Sequence, residues 1–340
     1  MTECDSPVTI LSLENDVEYI KIYGRGKDMD YLIVSESSLR YYWELQTLFY
    51  NLTQSRQVPK EEIILLTYGD ETYSTKLKEE FGIEVHHYED DRPASLYLSS
   101  IRPWLIAKFL EEYPERNHFV YLDSDVIMLK SMDWNSFWND EKVCYGSYVS
   151  YVTDDFILQR TNGQYYLDAL NQLLPLTELE REKVHAQPCG AQWVLNNMTS
   201  DFFYQVYQAC EDLFQYWMKL LMTMKWEVDE KNVNESDIWT TDMFVLHRLL
   251  ILAGYQVEVS EAMSFAFPQK EIEEGDDYLF LHNAGVNPQT KPDHKYLFWK
   301  GAPDWRVKLP YETNLSYVEA SRYSRIYVKE MLNMKGFLND

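Results

Sequence analysis

The chain has 340 residues, 46% hydrophobic and 25% charged, and 55 acidic against 31 basic side chains give a formal net charge of −24. That length is enough to bury a large core, and the composition is that of a globular protein. Negative charge on this scale repels polyanions at long range, which argues against a broad nucleic-acid-binding face and against a nucleic-acid partner.

Residues 31–35 (YLIVS) form a short apolar run that predicts a strand, and helical spacing follows over 39–52. A second apolar run at 62–67 (EIILLT) closes on Tyr68-Gly69-Asp70, a helical segment at 72–81 stops at Gly82, and 83–88 (IEVHHY) predicts a third strand. The segment 95–112 has helical periodicity, with Pro103 imposing a kink or a restart. A fourth strand, 118–122 (HFVYL), runs into Asp123-Ser124-Asp125. Strands alternating with helices of this length predict βαβ units and an α/β fold with a mostly parallel sheet.

Beyond residue 140 the pattern is less regular. Strands are predicted at 142–152, 255–259 and 278–282, and helices at 164–174, 200–222, 238–253 and 316–334. The stretches 154–163, 225–237 and 271–277 read as loops. Cys4, Cys144, Cys189 and Cys210 have no C-x-x-C spacing and read as free thiols, neither a disulfide framework nor a zinc site. Residues 1–16 have no basic n-region and no long apolar run, and no stretch approaches about 18 apolar residues. The expectation is a cytoplasmic chain without signal peptide or membrane span. The N-x-S/T sequons at Asn51, Asn197, Asn234 and Asn314 then read as chance matches.

Chemistry concentrates in FVYLDSDVIML at 119–129. Ligands bind beyond the carboxyl ends of parallel strands, and carboxylates at i and i+2 past such a strand can face one crevice. Hard divalent cations prefer carboxylate oxygens, and such an ion can neutralise a diphosphate leaving group as a Lewis acid. A bare D-x-D also occurs as a solvated turn; its place after a buried strand and three βα units favours the metal reading. Far downstream, YLFLHNAG at 278–285 delivers His282 from a strand, a common Mn²⁺ ligand beside carboxylates, and Gly285, which lets backbone approach a phosphate. Lys291 and Lys295 follow as candidates for the diphosphate.

With these motifs the sequence resembles the GT-A-fold glycosyltransferases over roughly residues 30–300, and more closely the glycogenin/galactosyltransferase-like retaining group. The resemblance implies a Rossmann-like sheet flanked by helices with C-terminal helical additions. It implies one domain over 1–340, with a nucleotide-sugar-binding half at about 30–135, an acceptor and catalytic half at about 140–300 and a helical tail at 301–340. Asp123 and Asp125 match the family's D-x-D, and His282 and Gly285 match its late H-x-x-G-x-x-K, implying Mn²⁺ (or Mg²⁺) held by Asp123, Asp125 and His282. The motif's Lys is missing, since position 288 is Pro, and Lys291 is the nearest candidate. The family's basic donor contact on the preceding helix falls to Arg102 or Lys108, and Ser124 lies within the D-x-D itself. Ser35 and Glu36 fall where the family contacts the donor's uridine. PCGAQWVLNN at 188–197 resembles a small-residue turn beside the sugar and acceptor, and implies that Gly190, Ala191 and Gln192 line that pocket. WTTDMFVL at 239–246 resembles the D-Q segment, with Asp242 matching the Asp and Met243 replacing the Gln. Asp242 and Gln192 are the catalytic candidates.

The implied reaction transfers a sugar from a nucleotide-diphosphate sugar, a UDP-sugar by resemblance, to a hydroxyl of a glycan, protein or small molecule, with retention. Two alternatives stand beside it. A nucleotidyltransferase would open on a Gly-rich basic loop, for which Gly24-Arg25-Gly26 is a poor candidate. A non-catalytic carbohydrate-binding protein would have little reason to keep both motifs.

Overall fold

The computed structural model describes residues 29–138, 141–160, 162–227 and 235–340. Cys4, Gly24-Arg25-Gly26, the reading of residues 1–16, the Asn234 sequon and part of the loop 225–237 lie outside them. In chain order the first half runs β1 (Asp30–Ser37), α1 (Leu39–Tyr50), β2 (Ile63–Gly69), α2 (Glu71–Phe81), β3 (Glu84–His87), α3 (Ile101–Glu112), β4 (Phe119–Leu122), β5 (Val126–Met128) and β6 (Val143–Tyr148). There follow α4 (Asp154–Leu158), α5 (Gly163–Leu173), α6 (Glu178–Ala186), β7 (Cys189–Leu195), α7 (Ser200–Glu227), α8 (Thr241–Leu252), β8 (Gln256–Val259), β9 (Phe265–Ala266), β10 (Phe280–His282) and α9 (Tyr323–Asn339).

Seven strands form one sheet in the order β3-β2-β1-β4-β7-β6-β8, and every neighbouring pair is parallel except the two that β7 makes. The apolar runs are continuous because both faces are covered. Leu32, Val34, Ile64, Leu66, Phe119 and Tyr121 enter the core on one face with α3, α7 and α8. Tyr31, Ile33, Ile63, Leu65, Val120 and Leu122 enter the other with α1, α2 and α9. The chain leaves β1 toward β2 and β3, then returns to β4 on its other side. A crevice therefore opens at the carboxyl ends of β1 and β4, where ligands bind in such sheets.

Local chemistry sets several boundaries. Asp70 accepts a hydrogen bond from the Thr72 N–H at 2.9 Å to start α2, and Gly82, at φ +66°, ends it where a side chain would be strained. The restart expected at Pro103 is present: a 3-10 turn at Leu98–Ser100 gives way to α3 at Ile101, and the proline falls in the first turn, where no N–H is needed. The segment around Gly190-Ala191, expected as a turn, is a fully buried antiparallel strand, β7. The terminal helix spans Tyr323–Asn339, later than the expected 316–334.

A second sheet, β5-β10-β9, crosses beside the first, with β10 antiparallel to β5 and His282 opposite Val126. The free edge of β5 is closed by a side chain. Buried Asn51 donates from Nδ2 to the Met128 carbonyl at 3.1 Å and accepts the Met128 N–H at Oδ1 at 2.8 Å, so its amide stands in for a strand. Its Nδ2 also meets Glu330 of α9 at 2.7 Å. Among the described residues, no helix is long and apolar enough to cross a membrane.

His247 locks α8 to the sheet. It is fully buried 6.2 Å from the Trp193 ring, and burial together with the neighbouring Arg248 cation pushes it down to about 4. Above its ordinary value of 6.5 it is neutral folded or unfolded. Below that, the unfolded chain takes up a proton that the folded chain refuses until about pH 4, so stability falls as pH drops through this window, by up to about 3 kcal/mol. His247→Leu should flatten that part of the stability curve relative to the parent protein, as measured by urea unfolding from pH 7 to pH 4.

Candidate metal and active site

β4 is buried along its length and delivers Asp123 to the crevice. The Val126 N–H closes on the Asp123 carbonyl at 3.3 Å, so the chain turns at once and β5 begins. Both Asp123 and Asp125 stand on that turn. β10 then pairs with β5, and the Asn283 N–H donates to the Asp125 carbonyl at 2.9 Å. This ladder carries His282 to the acidic pair: its Nε2 lies 3.4 Å from Asp125 Oδ1 and 3.8 Å from Asp123 Oδ2. One ligand atom from each of the three residues lies within 4.8 Å of the others. Asp125 and His282 are buried, while Asp123 is more open.

Two cations flank the carboxylates. Lys300 pairs with Asp125 Oδ2, and Arg102 Nη1 lies 3.6 Å from Asp123 Oδ1 and 3.1 Å from Asp242 Oδ2. Burial alone would raise the Asp125 carboxyl; Lys300 and His282 override it and hold the group well below the ordinary carboxylate range. Burial alone would lower His282, but Asp125 and then Asp123 raise it. Lys300 is likewise raised against burial, by Asp125 and then Glu44. Glu44 of α1 is itself fully buried and accepts from Arg40 at 2.7 Å and from the Ser124 hydroxyl at 3.1 Å. Ser124 thus faces α1, away from the carboxylate pair.

The other ring nitrogen of His282 meets Gln192. In β7 the register slips: Gly146 pairs with Trp193 and Ser147 with Gly190, leaving Ala191 and Gln192 as a bulge. A bulge re-aims side chains, and here it turns the Gln192 amide onto His282 Nδ1 at 3.2 Å. The amide's other end meets Ser147 Oγ at 2.9 Å, and Ser147 Oγ lies 2.7 Å from the Met263 carbonyl. A neutral imidazole that ligates an ion through Nε2 carries its proton on Nδ1 and needs an acceptor there. A half-turn of the amide puts Oε1 on Nδ1 and its NH₂ on Ser147 Oγ, while Ser147 donates to Met263. The Nδ1 proton, the amide oxygen and the Ser147 hydroxyl then each have a partner.

A cavity of about 150 Å³ opens beside the acidic pair, lined by Arg102, Tyr121, Asp123, Trp239, Asp242 and His282 above apolar walls. A six-membered ring occupies a space of that order. Asp242, in the first turn of α8, is raised by burial against the pull of Arg102. Its Oδ1 lies 2.7 Å from the Tyr97 hydroxyl, which is also 2.7 Å from the Trp239 carbonyl.

Of the residues singled out by sequence, Asp123, Asp125, His282, Arg102, Asp242 and Gln192 come together. Lys108 does not join them; it pairs with Asp91 at 2.8 Å. Lys291 is exposed, ahead of a short helical turn, and is not among the groups paired with the acidic cluster. Ser35 and Glu36 sit at the carboxyl end of β1, opposite Thr67 and Tyr68 of β2. Gly285 has φ +76° with open space around it. Sequence reasoning missed Lys300, Glu44 and Tyr97. Lys300 follows FW in an unpatterned stretch, and only its distance after H-x-x-G could have suggested it. Cys144, Cys189 and Cys210 are free and buried, and burial pushes the Cys144 thiol up to about 12.

No family model matches the chain, and no curated protein matches it. Solved structures that it is similar to are glycosyltransferases. WbbM, a bifunctional glycosyltransferase, is 11% identical over 76% of this chain and 46% of that one, with a TM-score of 0.43. The galactosyltransferase LgtC, solved with donor and acceptor sugar analogs, is 13% identical over 76% of this chain and 89% of that one, at 0.42. GlyE of Streptococcus pneumoniae TIGR4 is 13% identical over 92% of this chain and 63% of that one, at 0.43. The chain thus spans under half the length of WbbM and under two-thirds of GlyE. Likenesses of this size carry no weight for what the chain does; its fold stands on its own strand order and its chemistry on its own side chains.

Gln192 gives the first test of the site. Gln192→Leu should weaken Mn²⁺ binding about 10- to 100-fold by calorimetry, because the Nδ1 proton loses its acceptor. Gln192→Glu keeps an acceptor and should bind at least as tightly as the parent.

Proposed function

We propose that the chain is a metal-dependent glycosyltransferase, moving a sugar from a UDP-sugar to an acceptor hydroxyl with retention. The observation that carries this reading is the β5–β10 pairing, which sets His282 against Asp123 and Asp125 at the mouth of a ring-sized cavity. Two carboxylates and an imidazole fit Mn²⁺ or Mg²⁺ by donor type. A divalent ion held by Asp123, Asp125 and His282 supplies Lewis acidity toward the diphosphate leaving group.

The chain's own residues divide the remaining work. Ser35 and Glu36 face the base and ribose at the carboxyl end of β1. Arg102 and Lys300 bracket the acidic pair and provide positive charge for the departing diphosphate. The cavity excludes bulk water around the sugar. Asp242, fixed by Arg102 and Tyr97, places negative charge beside the anomeric carbon as it becomes positive. The bond from that carbon to the β-phosphate oxygen breaks, and its electron pair leaves with the phosphate. The acceptor oxygen bonds to the same face, and its proton passes to the leaving phosphate oxygen. Gln192 acts through His282 as a positioning residue, since its amide is fully buried on the imidazole.

Three substitutions test the reading. Asp125→Ala should lower Mn²⁺-dependent donor hydrolysis and transfer at least about 100-fold, toward the rate of the parent in EDTA. Undiminished, metal-independent turnover would reject the site. His282→Ala should move the Mn²⁺ titration to about 10- to 100-fold higher concentration; an unchanged curve removes His282 as a ligand. Lys300→Met should act in two directions. Metal alone binds more tightly once the competing ammonium has left Asp125, while turnover of the diphosphate donor falls about 100-fold.

A further inference from the structure

Beside the ring-sized cavity lies a second, larger depression of about 870 Å³, walled by Leu96, Phe214, Met218, Leu221, Met222 and Trp239. The two spaces share Trp239. Leu96 and Met222 are each 61% exposed and Trp239 is 59% exposed, so large apolar side chains stand in water on one rim. A cluster of that kind on a folded surface marks a place where something apolar binds. Among the described residues that line the groove, Lys219 is the only charged one and none is acidic, in a chain with 55 carboxylate side chains.

The groove is wired to the reacting end. Phe214 stacks on Tyr97 at 4.8 Å between ring centroids, and Trp239 lies 6.3 Å from Phe214. The Tyr97 hydroxyl meets both the Trp239 carbonyl and Asp242 Oδ1. The two spaces meet at exposed Trp239, so a ligand lying across that ring reaches from the groove toward the cavity that Asp242 lines. A purely polar sugar would leave Leu96, Met218 and Met222 uncovered.

We propose that the acceptor is amphipathic: a hydroxyl-bearing head at Trp239 and Asp242, and an alkyl or similarly apolar tail along the groove. This rests on the transferase reading, and it names the class of acceptor. The apolar tail adds affinity in proportion to the surface it buries, roughly three- to fourfold per methylene.

The test uses methyl, butyl, hexyl and octyl β-glucosides below micelle-forming concentrations, titrated into the full chain by calorimetry. Stabilisation by UDP and Mn²⁺ is followed separately by thermal melting. Affinity should rise about threefold or more per methylene in the parent and lose that dependence in Met222→Glu and Leu96→Glu. Equal binding of methyl and octyl glucoside, or a chain-length dependence that both variants retain, would overturn the proposal. So would self-association of the parent by sedimentation that Met222→Glu abolishes without any chain-length effect, since the groove would then hold a second copy. Chain-length dependence without stabilisation by UDP and Mn²⁺ would overturn the transferase reading, and with it the role of the tail as part of an acceptor. The converse pattern overturns the groove alone.

Discussion

The backbone pairing of β10 with β5 is the constraint on which the site depends. It fixes an imidazole from residue 282 against carboxylates at 123 and 125 through main-chain hydrogen bonds, which have no rotamer freedom to lose. The pairing is itself held from the far side. Asn51 satisfies both backbone groups of Met128, and Glu330 on α9 ties to the same amide. The carboxylate–imidazole cluster at the end of β4 therefore depends on the end of α1 and on the C-terminal helix.

Charge balance is the second organising fact. Asp125 and Glu44 are both buried and both act on Lys300, an arrangement that costs several kcal/mol per ion without compensation. Lys300, Arg40 and His282 supply that compensation. Arg102 does the same between Asp123 and Asp242. Asp123, Asp125, Asp242 and Glu44 thus each already have a cation within reach. The strong downward hold on Asp125 means it stays ionised, which a metal ligand requires. Under the proposed reaction, an incoming divalent ion would replace Lys300 at Asp125 and free its ammonium for the donor phosphates.

Much of this was legible in the sequence where periodicity and strand-end chemistry coincide. The apolar runs at β1, β2 and β4 and the carboxylate pair beyond β4 follow from rules that act over a few residues, and so does the Gly82 stop of α2. His282 was legible because a strand and a glycine flank it. What resisted reading depends on tertiary geometry. Lys300 reaches Asp125 only because the chain after β10 folds back, and no local pattern distinguishes it from Lys291. Arg102 and Lys108 are six positions apart on α3, and only the packing of that helix decides that one faces Asp123 and the other Asp91. β7 was hidden because Gly190, Ala191 and Gln192 break up any apolar run, and Ala191 and Gln192 form the bulge that gives Gln192 its direction.

That bulge carries a measurable sign of strain. Ala191 sits at φ +61°, a left-handed conformation that costs a residue with a Cβ roughly 1–2 kcal/mol. It persists because β7 is buried along its length between β4 and β6, so the ladder on both sides over-determines the backbone. A regular strand through these positions would relieve the strain, but it would restore alternation and turn the Gln192 amide away from His282. The strained alanine lies in the wall of the ring-sized cavity, and the next residue orients the imidazole. Strain at this position therefore has a local physical use: it holds the one side chain that sets which nitrogen of His282 is free to face the carboxylates.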